Sequence, residues 1–281
     1  MLWVLLIGFL ILLVLTYIWI WKKITRDRPD SYPTLQNRQK LDASKKTLVC
    51  FGDSITHGNV SYNWVSDVGK LLHELQVLNA GINSDLTFSL LKRIDDVIAC
   101  QPDFITILIG TNDVNATMKK DLEDSYKQTG RIPENIKPDF ESFKKNYQEI
   151  ILRLKQNTHA RIALLSLPII GEDLNHEVNK KADKYSEFIK ELAHTQQLTY
   201  LPLREKQKAY LLAHVKPLKY TFEETYKLLI LSIINHFFLG KDWDYITQKH
   251  GYQLTPDNIH LNSISGGMVR ELVKNFITTA Y

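Results

Sequence analysis

Cysteine is scarce in this chain. Among 281 residues there are two, Cys50 and Cys100, too few for a disulfide framework. Each falls in or beside an apolar run, so each is expected as a buried thiol that says nothing about redox compartment. An excess of one charge is also missing. Thirty-five Lys and Arg against 31 Asp and Glu leave a net charge of +4, with the signs interspersed and no long basic run, which is too mild to imply a nucleic-acid partner. There is no internal repeat and no low-complexity tract. No Cys/His cluster has metal-ligand spacing, and no Gly-x-x-x-x-Gly-Lys phosphate loop occurs, so neither a metal nor a cofactor is expected. What is present is an ordinary globular balance, 44% hydrophobic and 23% charged, in a chain long enough to bury a sizeable core.

Charge is missing most completely at the start. Residues 1–21 carry no charged side chain and are almost wholly apolar. As a helix rising about 1.5 Å per residue, such a stretch spans roughly 30 Å, the thickness of a bilayer core. Tyr17, Trp19 and Trp21 suit an interfacial aromatic belt. A cleavable signal peptide is the rival, but no Lys or Arg precedes the apolar run and Ile18-Trp19-Ile20-Trp21 offers no small-residue cleavage site. Residues 1–21 are therefore expected to be a single transmembrane anchor. Lys22, Lys23, Arg26 and Arg28 follow it, and the positive-inside tendency would keep the globular part in the cytoplasm. Single-helix topologies break that tendency, which leaves the side open. Residues 22–44, polar and proline-bearing, read as a linker.

From Lys45 onward, short apolar runs alternate with longer amphipathic ones. Thr47–Phe51, Val77–Asn79, Phe104–Ile109, Arg161–Leu167 and Thr199–Leu203 are strand candidates. Between and after them, Tyr62–Leu75, Thr87–Cys100, Phe140–Gln156, Val178–Gln197 and Gly267–Thr278 have helical spacing. Strands separated by helices of this length predict βαβ units, a five-stranded parallel sheet and one doubly wound α/β domain over 45–281. Residues 206–250 are longer than a crossover needs. They include the apolar run Tyr226–Leu239, too short to span a bilayer. A helix buried in the core is the first expectation for it, because apolar faces usually go there. A cap over the site, holding an acyl chain or touching the membrane, is the second.

Ligands of an open parallel sheet bind outside the carboxyl ends of its strands. Polar segments fall at three such ends: Asp53-Ser54, Asn79 to Asp85, and Gly110-Thr111-Asn112-Asp113. A fourth, Asp257-Asn258-Ile259-His260-Leu261, precedes the last helix. Each alone has an ordinary reading. Gly52-Asp53-Ser54 is a turn and a helix cap, and Gly110 to Asp113 is another turn. His260 is one of nine histidines, and Asp257 could be a cap. Together they fill the roles of acyl transfer. A serine hydroxyl needs a base, which His260 supplies near neutrality. The imidazole needs its other nitrogen held, and Asp257 is close enough in sequence to do so. An oxyanion needs donors, and the Ser54 N–H, the Asn112 side chain and an N–H of the loop 81–85 are available.

These four segments, in this order, resemble the blocks of the SGNH/GDSL hydrolase superfamily. The resemblance covers about 45–281 and implies a three-layer α/β/α flavodoxin-like domain. It implies Ser54 as nucleophile and oxyanion donor, Asn112 as a second donor, and Asp257 with His260 as the activating pair. The second block departs from the family pattern Asn-x-Gly-x-x-Gly. Here Asn79-Ala80-Gly81-Ile82-Asn83-Ser84 puts Ser84 where the later glycine stands. Either Ser84 adopts the conformation that glycine would take or Gly81 carries the bend, so both are candidates for the oxyanion hole. The unrelated α/β-hydrolase family is disfavoured, since its Gly-x-Ser-x-Gly elbow is not matched by Gly52-Asp53-Ser54-Ile55-Thr56.

The function expected from these readings is a membrane-anchored serine esterase or acylhydrolase that cleaves a carboxylic ester on a lipid-like or acetylated-glycan substrate. The alternative is a non-catalytic relative that binds an acylated ligand.

Overall fold

The computed structural model describes residues 2–25 and 41–279. The first element is helix α1 (Leu2–Thr25). The chain then forms β1 (Thr47–Gly52), α2 (Ser54–His57), α3 (Trp64–Leu71), β2 (Gln76–Gly81), α4 (Thr87–Lys92), α5 (Ile94–Ala99) and β3 (Phe104–Leu108). It continues through α6 (Thr111–Ala116), α7 (Lys120–Gln128), α8 (Phe140–Asn157), β4 (Arg161–Leu165), α9 (Glu177–Thr195) and β5 (Thr199–Leu201). The last elements are α10 (Leu203–Ala213), α11 (Thr225–Phe237), α12 (Trp243–Lys249) and α13 (Ser263–Thr278).

The five strands pair in parallel in the order β2-β1-β3-β4-β5. That is the flavodoxin-like order, with its switch point between β1 and β3. Every residue of β1 and β3 is buried, because helices cover both faces of the sheet. Val49 and Phe51 enter one core, with side chains of α4, α5, α8 and α9. Leu48 and Cys50 enter the other, with α3 and α13. Cys100 lies in the first core, so the two cysteines sit on opposite faces.

Local chemistry sets the helix starts. The Asp139 side chain accepts from Ser142 N at 2.7 Å and begins α8. From there Phe143, Tyr147, Ile150, Ile151 and Leu154 turn one stripe into the core, the spacing of an amphipathic helix.

Strand and helix ends shift by a few residues from expectation, and three departures bear on the site. Helix α1 continues to Thr25, so Lys22 and Lys23 belong to its end rather than to a linker; residues 26–40 of the expected linker lie outside the described residues. The expected helix Thr87–Cys100 is two helices, broken at Arg93 (φ −114°, ψ 14°). The Arg93 side chain is drawn inward, where Nε meets Asp85 Oδ2 at 2.7 Å and Nη2 donates to the carbonyls of Gly52 and Ala80, each at 2.9 Å. The run Tyr226–Leu239 is not a core helix. As α11 it buries only Leu228, Ser232 and Asn235, while Tyr226, Ile230, Ile234, Phe238 and Leu239 are exposed.

Asp85 is fully buried and is held by Arg93 and Arg131. Replacing Arg93 by methionine removes one partner of a buried carboxylate and the donor to two strand-end carbonyls. Loss of a buried ion-pair partner typically costs about 3–5 kcal/mol, and that loss of stability is expected in urea unfolding. A loss below about 1 kcal/mol would mean that Arg131 alone holds Asp85.

Candidate active site

The site forms where β1 and β3 end side by side, with Gly52 paired to Leu108. Asp53 leaves the strand and caps α2, its Oδ1 accepting from Ile55 N at 2.9 Å. The capping reading of Gly52-Asp53-Ser54 is therefore correct as far as it goes, and it also aims Ser54. Because α2 is a single turn, it supplies local N–H groups rather than a macrodipole. Burial pushes the Asp53 carboxyl up to about 7, against the Ile55 hydrogen bond and the His260 charge, which pull it down.

His260 comes from the loop before α13, 206 residues away, and its Nε2 lies 3.0 Å from Ser54 Oγ. Its Nδ1 lies 2.8 Å from Asp257 Oδ2. The other oxygen of Asp257 accepts the backbone N–H groups of Ile259 (3.1 Å) and His260 (2.9 Å). Three acceptances at one buried carboxylate fix the loop and the ring together. Burial alone would lift the Asp257 carboxyl. The facing imidazole and these hydrogen bonds outweigh it and hold the group below its ordinary value. Burial alone would lower the His260 imidazole, but the Asp257 charge and hydrogen bond, with a smaller contribution from Asp53, raise it. Between the two, Asn258 takes a left-handed conformation (φ 74°), which asparagine tolerates better than most residues. Its side chain donates to Thr221 O and Thr225 Oγ1, both at 3.1 Å, tying this loop to the start of α11.

Asn112 sits in the first turn of α6, after Gly110. Its Nδ2 donates to Asp85 O at 2.9 Å, and its Oδ1 accepts from Tyr126 Oη at 2.7 Å. The same Nδ2 is 3.5 Å from Asp53 Oδ2. Asp113, next along, binds Thr87 through both its N–H (3.1 Å) and its hydroxyl (2.6 Å), joining the third polar segment to the second.

In the second segment the two candidates divide the work. Ser84 has φ 64° and carries the left-handed bend itself. Gly81 is needed for room, since a Cβ there would lie 2.2 Å from the backbone nitrogen of His57. The residues predicted from sequence, Ser54, Ser84, Asn112 and His260, line one cavity of about 660 Å³, and Asp257 stands behind His260.

Several contributors were not foreseen. Tyr126 was unremarkable in sequence and orients the Asn112 amide. Trp21 and Ile24 of α1 also line the cavity. The Ile24 carbonyl accepts from Asn59 Nδ2 (3.0 Å) and Asn83 Nδ2 (3.1 Å). Asn83 lies in the second polar segment, which was the only available signal.

A model of the GDSL-like lipase/acylhydrolase family matches residues 50–226. The chain belongs to that family. Among solved structures, the acetyl xylan esterase AlAXEase is similar over 82% of this chain and 99% of its own, with a TM-score of 0.58 and 22% identity. An acetylxylan esterase from Geobacillus stearothermophilus is similar over 83% of this chain and 94% of its own, with a TM-score of 0.59 and 17% identity. At that identity the likeness is one of fold. No curated protein matches. A GDSL-family hydrolase of ester bonds is thus established, with the matched residues ending before Asp257 and His260.

Ser84 gives a direct check of the loop conformation. A left-handed non-glycine residue costs about 1–2 kcal/mol, which glycine relieves in part at the expense of its own chain entropy. Ser84→Gly is expected to stabilise the protein by up to about 1 kcal/mol in urea unfolding. A destabilised variant would mean that the Ser84 side chain holds the loop.

Proposed function

We propose that this chain is a membrane-anchored serine esterase that hydrolyses a carboxylic ester, on a lipid-like or acetylated-glycan substrate, through an acyl-enzyme. The observation that carries the proposal is the continuous line Ser54 Oγ, His260 Nε2, His260 Nδ1, Asp257 Oδ2, with links of 3.0 and 2.8 Å. Support comes from the Geobacillus esterase as well. Its variants described as catalytic mutants replace a serine, an aspartate and a histidine, the last two three positions apart. Asp257 and His260 have the same spacing.

In this mechanism Ser54 Oγ attacks the ester carbonyl while His260 takes its proton. The negative charge that develops on the carbonyl oxygen is met by the Ser54 N–H, the Asn112 amide and the Ser84 N–H, with Gly81 leaving space for the loop. The intermediate collapses by expelling the alcohol, which receives the proton from His260. Water, deprotonated by the same imidazole, then releases the acid and restores Ser54.

The anchor lies within α1, of which residues 6–25 are long and apolar enough to cross a membrane. A leader sequence passes that test too. What favours retention is the Ile24 carbonyl held by Asn59 and Asn83, contacts that a removed leader could not make.

A fluorophosphonate probe is expected to label the wild type and not Ser54→Ala. His260→Ala should lower hydrolysis of a short p-nitrophenyl ester by about 10⁴-fold or more. A folded wild type that resists the probe would favour the ligand-binding alternative.

The pH profile provides an independent test. The reaction needs neutral His260, whose value is raised above the ordinary 6.5. Activity should therefore fall as pH drops through a midpoint above about 6.5. In Asp257→Asn the raising charge is gone and burial remains, so the acid limb should move to lower pH while turnover falls by about 10⁴-fold. An unmoved limb would remove Asp257 from the mechanism.

A further inference from the structure

Two apolar features stay unexplained by ester hydrolysis as such: the last turn of α1 in the cavity, and the outward row of α11. They belong to one surface. Trp21 and Ile24 of α1 and Leu229 and Ile233 of α11 all line the cavity that contains Ser54 and His260. Beside that pair on α11, Tyr226 (which also lines the cavity), Ile230, Ile234 and Phe238 are exposed at four-residue intervals, one continuous stripe of a helix. The Phe238 ring meets that of Trp19 on α1, with centroids 5.4 Å apart. Trp19 and Trp21 occupy the end of the helix, where aromatic residues mark a bilayer surface. Lys22 and Lys23 lie there as well, and Lys23 Nζ sits 5.6 Å from the Trp19 ring.

We infer that the cavity opens at the bilayer surface and takes the acyl chain of an ester resident in the membrane, with the last turn of α1 and the inner face of α11 as its walls. This rests on Ser54 being an esterase nucleophile and on α1 being a retained anchor. The geometry leaves little freedom. Asn59 and Asn83 hold the end of α1 to the site, so when α1 spans the bilayer, Ser54 is held close to the headgroups. The Phe238–Trp19 contact sets the end of α11 at the same level, and its exposed stripe is then covered by lipid. An acyl chain can pass from the bilayer between two apolar helices without crossing water. An acetyl group has no use for such walls.

The experiment uses the full chain in phosphatidylcholine vesicles, with 4-methylumbelliferyl palmitate in the bilayer and the soluble acetate ester as comparison. Phe238→Cys, labelled with an environment-sensitive fluorophore while Cys50 and Cys100 are buried, should be quenched by doxyl-labelled phosphatidylcholine. Phe238→Asp should lower palmitate turnover at least tenfold and acetate turnover less than twofold. Leu229→Trp, which narrows the cavity, should lower the palmitate-to-acetate ratio of kcat/KM at least tenfold, with fluorophosphonate labelling of Ser54 retained as proof of folding. A label at 238 that stays in water, or that is quenched only by a second labelled copy, overturns the inference. So do variants whose palmitate and acetate rates change together while labelling persists. A wild type that labels and cleaves acetate but never palmitate overturns the substrate class and leaves the esterase standing. A wild type with neither labelling nor hydrolysis overturns both.

Discussion

The buried carboxylate of Asp85 is the tie on which this site depends. Its two oxygens meet Arg93 and Arg131, and its backbone carbonyl accepts from Asn112. Arg93 in turn donates to the carbonyls of Gly52, the last residue of β1, and Ala80, the next-to-last of β2. A parallel sheet leaves such carbonyls facing the crevice beyond its strand ends, where they would be buried without donors. One arginine satisfies two of them and neutralises the acid that anchors the neighbouring loop. Two strand ends, the loop 82–85 and Asn112 are thereby fixed in one network. The break between α4 and α5 follows from the same demand, because Arg93 leaves helical geometry where its side chain turns inward.

On that frame the long-range element is short. The loop from Asp257 to His260 must hold an imidazole against a hydroxyl 206 positions earlier in the chain, and almost everything in it serves orientation. Asp257 is shared among the ring and two backbone N–H groups. Asn258 takes the left-handed turn and fastens to Thr221 and Thr225. The segment that begins α11 is thus bound to the same loop that carries the proposed base, and the cavity wall and the proposed chemistry share one support. Charge works in the same direction: the carboxylate that orients His260 also raises its proton affinity despite burial.

What could be read from the amino acids follows from how local each cause is. The strands were legible because buried parallel strands are near-continuous apolar runs, as in Phe104–Leu108. The face of α8 was legible because Phe143, Tyr147, Ile150, Ile151 and Leu154 have a helix period. Ser54 and Asn112 were legible as residue types at strand ends and Asp257 and His260 as a pair before the last helix, and the cavity brings Ser54, Asn112 and His260 together with Asp257 behind them. The break at Arg93 was not legible, since its cause is Asp85, a partner known only once the strands are aligned. Tyr126 was hidden for the same reason: nothing in Asp124-Ser125-Tyr126 points to an amide 14 residues earlier. The apolar run Tyr226–Leu239 misled because composition reports that a face is apolar and not what covers it. The length of α1 misled by one turn, as lysines at a helix end need not end the helix.

The division between matched and unmatched residues bears on specificity. The family match spans 50–226, which includes Ser54, the loop 81–85, Asn112 and Tyr126. Most of the cavity lining lies within it, but part of the apolar wall comes from outside: Trp21 and Ile24 before, Leu229 and Ile233 after. A fold shared with acetyl xylan esterases therefore constrains how an ester is positioned for attack far more than which ester arrives. Asn59 and Asn83 are the exceptions that join the two parts, since they sit within the match and hold α1 to it. Asn83 adjoins Ser84, so the amide that grips the end of α1 is one residue from the proposed oxyanion donor. The Asn83 side chain also meets His57 Nδ1 at 2.9 Å, so one amide joins the end of α1, the turn α2 and the loop that carries Ser84.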